Sequence, residues 1–313
     1  MTAFVVRRLI FAIPTLLIIS AFVFFLQKLM PGDVALALAG EDRSVEVIEH
    51  IRQKYQLDEP IWVQYLAWLS AVVKGDLGHS IIMRTAVGPL LLQKLAVTLQ
   101  LSVMAMIIAL AIGIPAGIFA AVRHGTAWDY WTNVLALSGL SVPNFWLGII
   151  LILVVSVYLG WLPASGYVSL WVDPVQSLRT TIMPALVLGV SIAGMLMRHT
   201  RSAMLEVLRA DYMRTARSKG ISARRVIVVH GLRNALVPIV TFSSVIFGEL
   251  LAGAVLTEQV FSVPGLGKMI VDAVFTRDFA VVQGVALLSA FIFLVANLLA
   301  DIATMLLKPR TRE

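Results

Sequence analysis

The sequence contains no cysteine, and only 14% of its 313 residues are charged. The absence of cysteine excludes disulfide bonds, thiolate metal sites and a cysteine nucleophile. Soluble domains carry about 25% charged residues, whereas 59% of this chain is hydrophobic and its mean hydropathy is +0.90. Because too few polar side chains remain to cover a folded globule, lipid must solvate most of the surface. A cytosolic enzyme is therefore excluded.

Motifs for nucleotide binding and hydrolysis are also missing. A phosphate-binding loop requires glycine, four residues and then Gly-Lys-Ser/Thr, but Gly267-Lys268 is followed by Met269 and the upstream glycine position holds Ser262. The chain has no Gly-x-Ser-x-Gly elbow and no His-Glu-x-x-His pair. Its five histidines show no tight ligand spacing. We expect no catalytic residue, metal site or cofactor in this chain.

Long runs with few or no charges dominate the sequence. A helix needs about 20 apolar residues to cross a bilayer, and six runs meet this requirement. They predict an all-α integral membrane protein with six transmembrane helices, at residues 9–27, 96–122, 131–159, 180–197, 234–257 and 279–307. The apolar core of the first run exceeds the 7–15 residues typical of a signal peptide, so we expect it to remain as an anchor.

The positive charges indicate the orientation of these spans. If the N-terminus is cytoplasmic, fifteen of the 25 Lys and Arg residues fall on the inner side, as the positive-inside rule requires. Both termini should then be cytoplasmic. The whole chain, residues 1–313, is predicted to form one transmembrane domain, with an outer segment at 28–95 that contains short interfacial helices and a cytoplasmic loop at 198–233.

The cytoplasmic loop has an ordered pattern as well as a positive charge. Asp211 can cap a short helix that starts at Tyr212, and Gly220 can end it. Such a helix would place the small residue Ala216 at its centre, where another protein could approach closely. The alternative is that the nine basic residues of the loop reflect only the positive-inside rule.

Several motifs resemble those of one transporter family, the inner-membrane permease subunits of binding-protein-dependent ABC importers, in the dipeptide and oligopeptide branch. The similarity covers essentially the whole chain. The motifs are Pro31-Gly32-Asp33, Gly75-Asp76-Leu77-Gly78, Ser141-Val142-Pro143-Asn144-Phe145-Trp146, the run from Asp211 to Gly220, Leu232-Arg233-Asn234-Ala235 with Pro238, Phe261-Ser262-Val263-Pro264-Gly265-Leu266-Gly267, and Arg277-Asp278 before Val281-Val282-Gln283-Gly284.

The resemblance implies a type I ABC importer transmembrane fold and a helix that couples the chain to an ATPase. The family's cytoplasmic motif is Glu-Ala-Ala, three residues, then Gly. Here the general glutamate is absent, so any role of that glutamate does not transfer to this chain. The implied ATPase-coupling residues are Asp211, Arg214, Thr215, Ala216, Lys219 and Gly220.

The resemblance also implies the partners and the substrate class. The chain would be a permease subunit without a nucleotide site, forming half of the translocation path in a bacterial or archaeal cytoplasmic membrane. Its partners would be membrane lipid, a second homologous permease, two ATPase subunits or a heterodimer of them, and an extracytoplasmic substrate-binding protein. ATP and Mg²⁺ would bind to the ATPase subunits. Dipeptides or oligopeptides are the expected substrates, with glutathione, nickel chelates, opines and sugar conjugates as alternatives.

Two other function classes fit the sequence less well. An ion-coupled secondary transporter usually shows internal repeats and several ionisable residues inside the membrane, but the spans hold only Glu249 and Asp301, and no repeat is visible. A nucleic-acid binder would interleave aromatic residues with the basic loop, which this chain does not do. We therefore expect no nucleic-acid partner.

Glu249 is the one carboxylate deep inside a predicted span. An ionised side chain that faces lipid costs several kcal/mol, so Glu249 should face the bundle interior, water or a partner helix. The neighbouring small residues Gly248, Ala252 and Gly253 permit close helix approach. Two interpretations remain open: a structural hydrogen bond at a helix contact, or a position lining the outer part of the translocation path.

Overall fold

The computed structural model describes residues 2–29, 35, 44–54 and 57–307. Within these ranges the chain is helical and has no strand beyond an isolated bridge between His79 and Ala86. The motif Pro31-Gly32-Asp33 lies outside the described residues. The predicted all-α architecture is confirmed.

The helices follow one another along the described part of the chain. Three of them precede the first long internal helix, and short helices separate the later spans. In chain order they are α1 Thr2–Leu29, α2 Val45–Lys54, α3 Ile61–Val73, α4 Val87–Val122, α5 Ala127–Ser141, α6 Asn144–Leu151 with a π-helical continuation Ile152–Tyr158, α7 Pro174–Arg209, α8 Asp211–Ser218, α9 Ala223–Arg225 with a π-helical continuation Val226–Leu232, α10 Arg233–Gly253, α11 Val255–Val260, α12 Leu266–Thr276 and α13 Phe279–Leu307.

Five helices in the described part of the chain are long and apolar enough to cross a membrane, and a bent pair makes six if it counts as one span. The bent pair is α5 with α6 and its π-helical continuation, and the two halves meet at 92°. Pro143 explains the bend, because proline disfavours helical backbone at the residue before it. Val142 accordingly has extended angles, with φ −83° and ψ 121°. The span predicted at residues 131–159 is thus formed by two helices that meet at a sharp bend.

Two helices extend beyond the uncharged runs that predicted them. Helix α4 begins at Val87, so the last part of the segment 28–95 is helical, and α7 continues to Arg209, into the segment 198–233. The uncharged run shows which residues can lie in hydrocarbon. The ends of the helix are set instead by capping residues. Asp173 caps the start of α7, where one of its carboxylate oxygens accepts from the backbone N–H groups of Val175 and Gln176 at 3.0 Å each.

The chain divides into two compact units, and the first comprises Met1–Ala96 and Gly265–Ile292. In it α3 packs on α1 through aromatic rings, and Tyr65 and Ser20 hydroxyls lie 2.8 Å apart. A buried apolar cluster joins the start of α4 to α12 and α13 through Val87, Leu266 and Val281. The short helices α2 and α3 lie within the segment 28–95, and their interfacial position stays a prediction.

The second unit comprises Val97–Pro264 and Phe293–Glu313 and is organised around α7. In the most apolar stretch of α7, 72% of the residues are buried, against 33% for α4, α13 and the span from Ala223 to Leu251. Glycines allow this close packing. Gly117 of α4 contacts α7, and Gly194 of α7 faces the backbone of α5 at Ala136. Helix α7 is therefore the core of this unit.

Two glycines on α4 provide a matched test of this packing. A methyl group added at Gly117 would lie 2.6 Å from the Met197 carbonyl oxygen and from Thr200 Cβ, whereas Gly88 has open space. Gly117→Ala should therefore destabilise the fold by about 1–3 kcal/mol through overpacking. Gly88→Ala should be neutral or slightly stabilising, because alanine favours helix. Thermal unfolding in detergent measures both; equal melting temperatures would contradict the contact.

Candidate functional site

One face of helix α8 packs against the rest of the chain, and its other faces are exposed. Met213 and Ala216, three residues apart, are buried and pack against Val226 of the following π-helical turn. The other residues of α8 are exposed. In addition, the Asn234 amide nitrogen donates to the Tyr212 hydroxyl at 3.0 Å, which ties α8 to α10. The seated face fixes the helix and leaves the remaining surface available.

The ends of α8 differ partly from the sequence prediction. Ala210, and not Asp211, occupies the N-cap position, and no side chain caps the helix. Asp211 lies in the first turn, where a negative charge favours the helix dipole, and its carboxylate lies 3.6 Å from the Arg214 guanidinium. The terminating glycine is as predicted: Gly220 has φ +73°, a left-handed conformation that glycine adopts without strain.

Ala216 is placed differently from the expected docking surface. Its side chain is 8% exposed and contacts this chain's own residues. The surface that α8 and its C-cap residue offer instead contains Arg214, Thr215 and Lys219, all exposed. A helix of eight residues turns more than twice, so the residues that hold it and the residues that it presents must alternate along the sequence. The sequence pattern located the helix but not its buried face.

Glu249 lies on the wall of a cavity of about 740 Å³ in the second unit. Its side chain is exposed and makes no hydrogen bond or ion pair with a described residue. The adjacent Gly248 makes the helix contact, because a methyl group there would lie 3.1 Å from Ala296. The structure does not describe the surroundings of Ala252 and Gly253. The cavity is lined by Asn133, Met195, Arg198, His199, Arg201, Ser202, Phe242, Ile246 and Glu249.

A polar cluster around Asp129 forms one border of this cavity. Arg201 binds the carboxylate with both arms, at 2.7 Å from Nε to Oδ1 and 2.8 Å from Nη2 to Oδ2. The Asn133 amide also donates to Oδ1 at 2.9 Å, and the Gly125 N–H donates to Oδ2 at 3.1 Å. Asp129 is only 6% exposed, so its charge needs these donors.

The two other basic residues of the cavity have different surroundings. The His199 ring stacks on Phe242, with ring centroids 3.7 Å apart and planes 22° apart. Arg198 is exposed and makes no hydrogen bond or ion pair with a described residue. Of the two arginines in the cavity, Arg201 is therefore neutralised by the protein, and Arg198 is available to a solute.

Sequence reasoning missed the pair of Asp129 and Arg201. A signal for it exists, since Asp129 lies just before the third uncharged run and Arg201 lies just after the fourth. Consecutive spans cross the membrane in opposite directions. The start of the third span and the end of the fourth span therefore lie on the same side of the membrane. Opposite charges at these two edges could have been paired on that ground.

Comparison with known proteins decides the family. The family described as the binding-protein-dependent transport system inner membrane component matches residues 113–313, and its N-terminal companion matches residues 1–102. The chain belongs to this family. The resemblance read from the motifs is thus confirmed, and the permease is a membrane-spanning subunit of an ABC importer. The alternative of an ion-coupled secondary transporter is not supported.

Relatives of the permease share its full length. The dipeptide transport system permease protein DppB of Escherichia coli K12 is 41% identical over 338 residues, covering 100% of this chain and 99% of DppB. The glutathione transport system permease protein GsiC of Escherichia coli O6:H1 is 41% identical over 312 residues, with the same coverage. A Brucella abortus protein, provisionally named a peptide transport system permease, is 43% identical over 312 residues, again covering 100% and 99%.

A solved structure supports the fold. The inward-facing methionine ABC transporter MetNI contains a chain that aligns with 70% of the permease and 96% of its own length, with a TM-score of 0.56 and 16% identity. This similarity confirms the type I importer fold. Membership of the family also implies ATPase and substrate-binding-protein partners for the permease.

Removing Arg201 tests the polar cluster. Arg201→Gln leaves the buried Asp129 carboxylate without its cation, and breaking a buried pair in this way costs about 3–5 kcal/mol. The melting temperature of the purified permease should fall clearly. Arg123→Gln, which changes an exposed arginine next to the same loop, should leave it unchanged. Equal melting temperatures for the two variants would show that the pair contributes nothing to stability.

Proposed function

We propose that the permease forms half of the translocation path of an importer for dipeptides or oligopeptides. Among the relatives named above, the solutes in their names are peptides, dipeptides and glutathione. Glutathione is itself a tripeptide, so these solutes share one chemical class. Glutathione, a nickel chelate, an opine or a sugar conjugate stands as the alternative solute within the same importer class.

The observation that carries this proposal is the placement of α8. An eight-residue helix that is held on one side by Met213 and Ala216 and exposed on the other suits a groove in an ATPase subunit. Arg214, Thr215 and Lys219 would contact the groove, while Asp211 would keep Arg214 oriented and Gly220 would end the helix. ATP and Mg²⁺ would bind to the ATPase, so the permease itself would need no cofactor and would catalyse no reaction.

The rest of the assembly follows from the same proposal. Two permease subunits, this chain and a homologue, would enclose the path, and two ATPase subunits would each accept one coupling helix. A binding protein would deliver the solute on the outer side. The distribution of Lys and Arg supports a cytoplasmic α8 and cytoplasmic termini in a bacterial or archaeal cytoplasmic membrane.

Charge reversal on α8 tests the coupling role. Arg214→Glu with Lys219→Glu changes two exposed residues and leaves the buried face intact. We expect the ATPase subunits to be lost on purification and ATP-dependent dipeptide uptake to fall to background, with the melting temperature of the permease unchanged. The matched control is Arg224→Glu with Arg225→Glu, which reverses two exposed charges of the same loop outside α8.

The control separates a specific helix from a generally basic loop. It should retain the ATPase subunits and most of the uptake. If both double variants lose the ATPase equally, the charge of the loop is responsible and α8 has no special role. If neither variant loses it, the assignment of α8 as the coupling helix is wrong.

A further inference from the structure

The cavity beside Glu249 carries opposite charges on different helices. Glu249 lies on α10, and Arg198 lies on α7. Both side chains are exposed, and neither makes an ion pair with a described residue. The third charged group of the wall, Arg201, is already bound by Asp129. The cavity therefore offers one free carboxylate and one free guanidinium.

Glu249 lies inside a predicted membrane span, where an ionised group without a partner is costly, and Arg198 lies on α7 directly after the uncharged run 180–197. A solute that carries both an ammonium and a carboxylate group would provide both partners at once. A charge-assisted hydrogen bond in such surroundings is stronger than in water, and arginine suits a carboxylate because it donates two parallel hydrogen bonds. A zwitterion fits the cavity better than an anion or a cation alone.

The length of the cavity along α10 can be estimated from two of its lining residues. Phe242 and Glu249 line the same cavity and are seven residues apart, which corresponds to about 10 Å along a helix. At the Phe242 end the cavity meets α7, because the Phe242 ring stacks on His199, the residue that follows Arg198. An extended peptide spans at most about 3.3–3.6 Å per residue. Two or three residues would therefore span roughly 7–11 Å, and one amino acid about 3.5 Å.

We propose that this cavity is a transit site for the two charged ends of a dipeptide or tripeptide. Arg198 binds the C-terminal carboxylate and Glu249 binds the N-terminal ammonium group. The volume of about 740 Å³ lies within the roughly 300–1,000 Å³ usual for small-molecule sites. The inference rests on the proposed function, because it names the part of the solute that the path recognises.

Because the chain contains no cysteine, a cysteine introduced at the site can be labelled specifically. Ser202→Cys would place the chain's one thiol on the cavity wall, one turn from Arg198. The assembled importer, purified in nanodiscs without binding protein, is treated with a fluorescent maleimide, and labelling of this chain is followed on a gel. The added solutes are alanine, dialanine, trialanine, and dialanine acetylated at one end and amidated at the other.

Dialanine and trialanine should slow the labelling of Ser202→Cys several-fold, whereas alanine and the doubly capped dipeptide should not. In this background Arg198→Gln or Glu249→Gln should raise the half-protecting dialanine concentration about tenfold, the factor expected for loss of one charged hydrogen bond. Arg123→Gln and Glu206→Gln remove exposed charges outside the cavity and should leave it unchanged. Thr126→Cys, exposed outside the cavity, should label equally with every solute.

Equal protection by all four solutes, or none by any, would overturn the site. Unchanged protection in both charge variants would overturn the roles of Arg198 and Glu249. Uptake of labelled dialanine by cells with the unmodified importer tests the proposed function separately. If uptake is absent while Ser202→Cys is protected only by uncapped peptides, the site stands and the physiological solute is another zwitterion of that length. If uptake occurs without protection, the function stands and the site is wrong.

Discussion

Close packing around α7 is the constraint on which the second unit depends. Lipid gives helices no hydrophobic reason to associate, so they hold together through short contacts between small residues and through polar bonds. Helix α7 uses both. Gly189 and Gly194 let the neighbouring backbones approach, and Arg201 binds the carboxylate of Asp129 on α5. Bulkier residues at these glycines would push α7 away from its neighbours. The cavity wall that α7 forms would then be displaced as well.

The same helix also provides the chemistry of the cavity. Arg198 and Arg201 are three residues apart and so lie on one face of α7, yet their surroundings differ. Arg201 is held by a buried carboxylate, whereas Arg198 is exposed in the cavity. One arginine fixes the position of the wall, and the other remains open to a solute. Arg201, which stabilises the unit, and Arg198, which is proposed to bind the peptide, are thus one helical turn apart.

Much of the fold could be predicted because a helix that crosses hydrocarbon needs a long run of uncharged residues. Long uncharged runs marked the spans, and Gly220 marked the end of α8 through its need for a left-handed conformation. The 92° bend was missed although Pro143 was visible, because a proline inside an apolar run is compatible with a kinked span or a broken one. Packing against the neighbouring helices decides whether the proline kinks the span or breaks it.

The candidate site was only partly predictable for a similar reason. The motif located α8, but the burial of Ala216 depends on Val226 and Leu208, which lie outside the motif. Glu249 was recognised by its rarity in a span. Its direction could not be read, because Gly248 and its small neighbours are equally compatible with a helix contact on either side. Side-chain direction is decided by the tertiary packing of α10.

The central claim is that this chain conducts peptides only when it is coupled to ATP hydrolysis. The most direct measurement is uptake of a labelled dipeptide into proteoliposomes that contain the complete importer with its binding protein. We predict accumulation that requires ATP on the side of α8 and peptide-loaded binding protein on the opposite side, and that persists when ion gradients are dissipated. Accumulation that follows a proton or sodium gradient in the absence of ATP would contradict it.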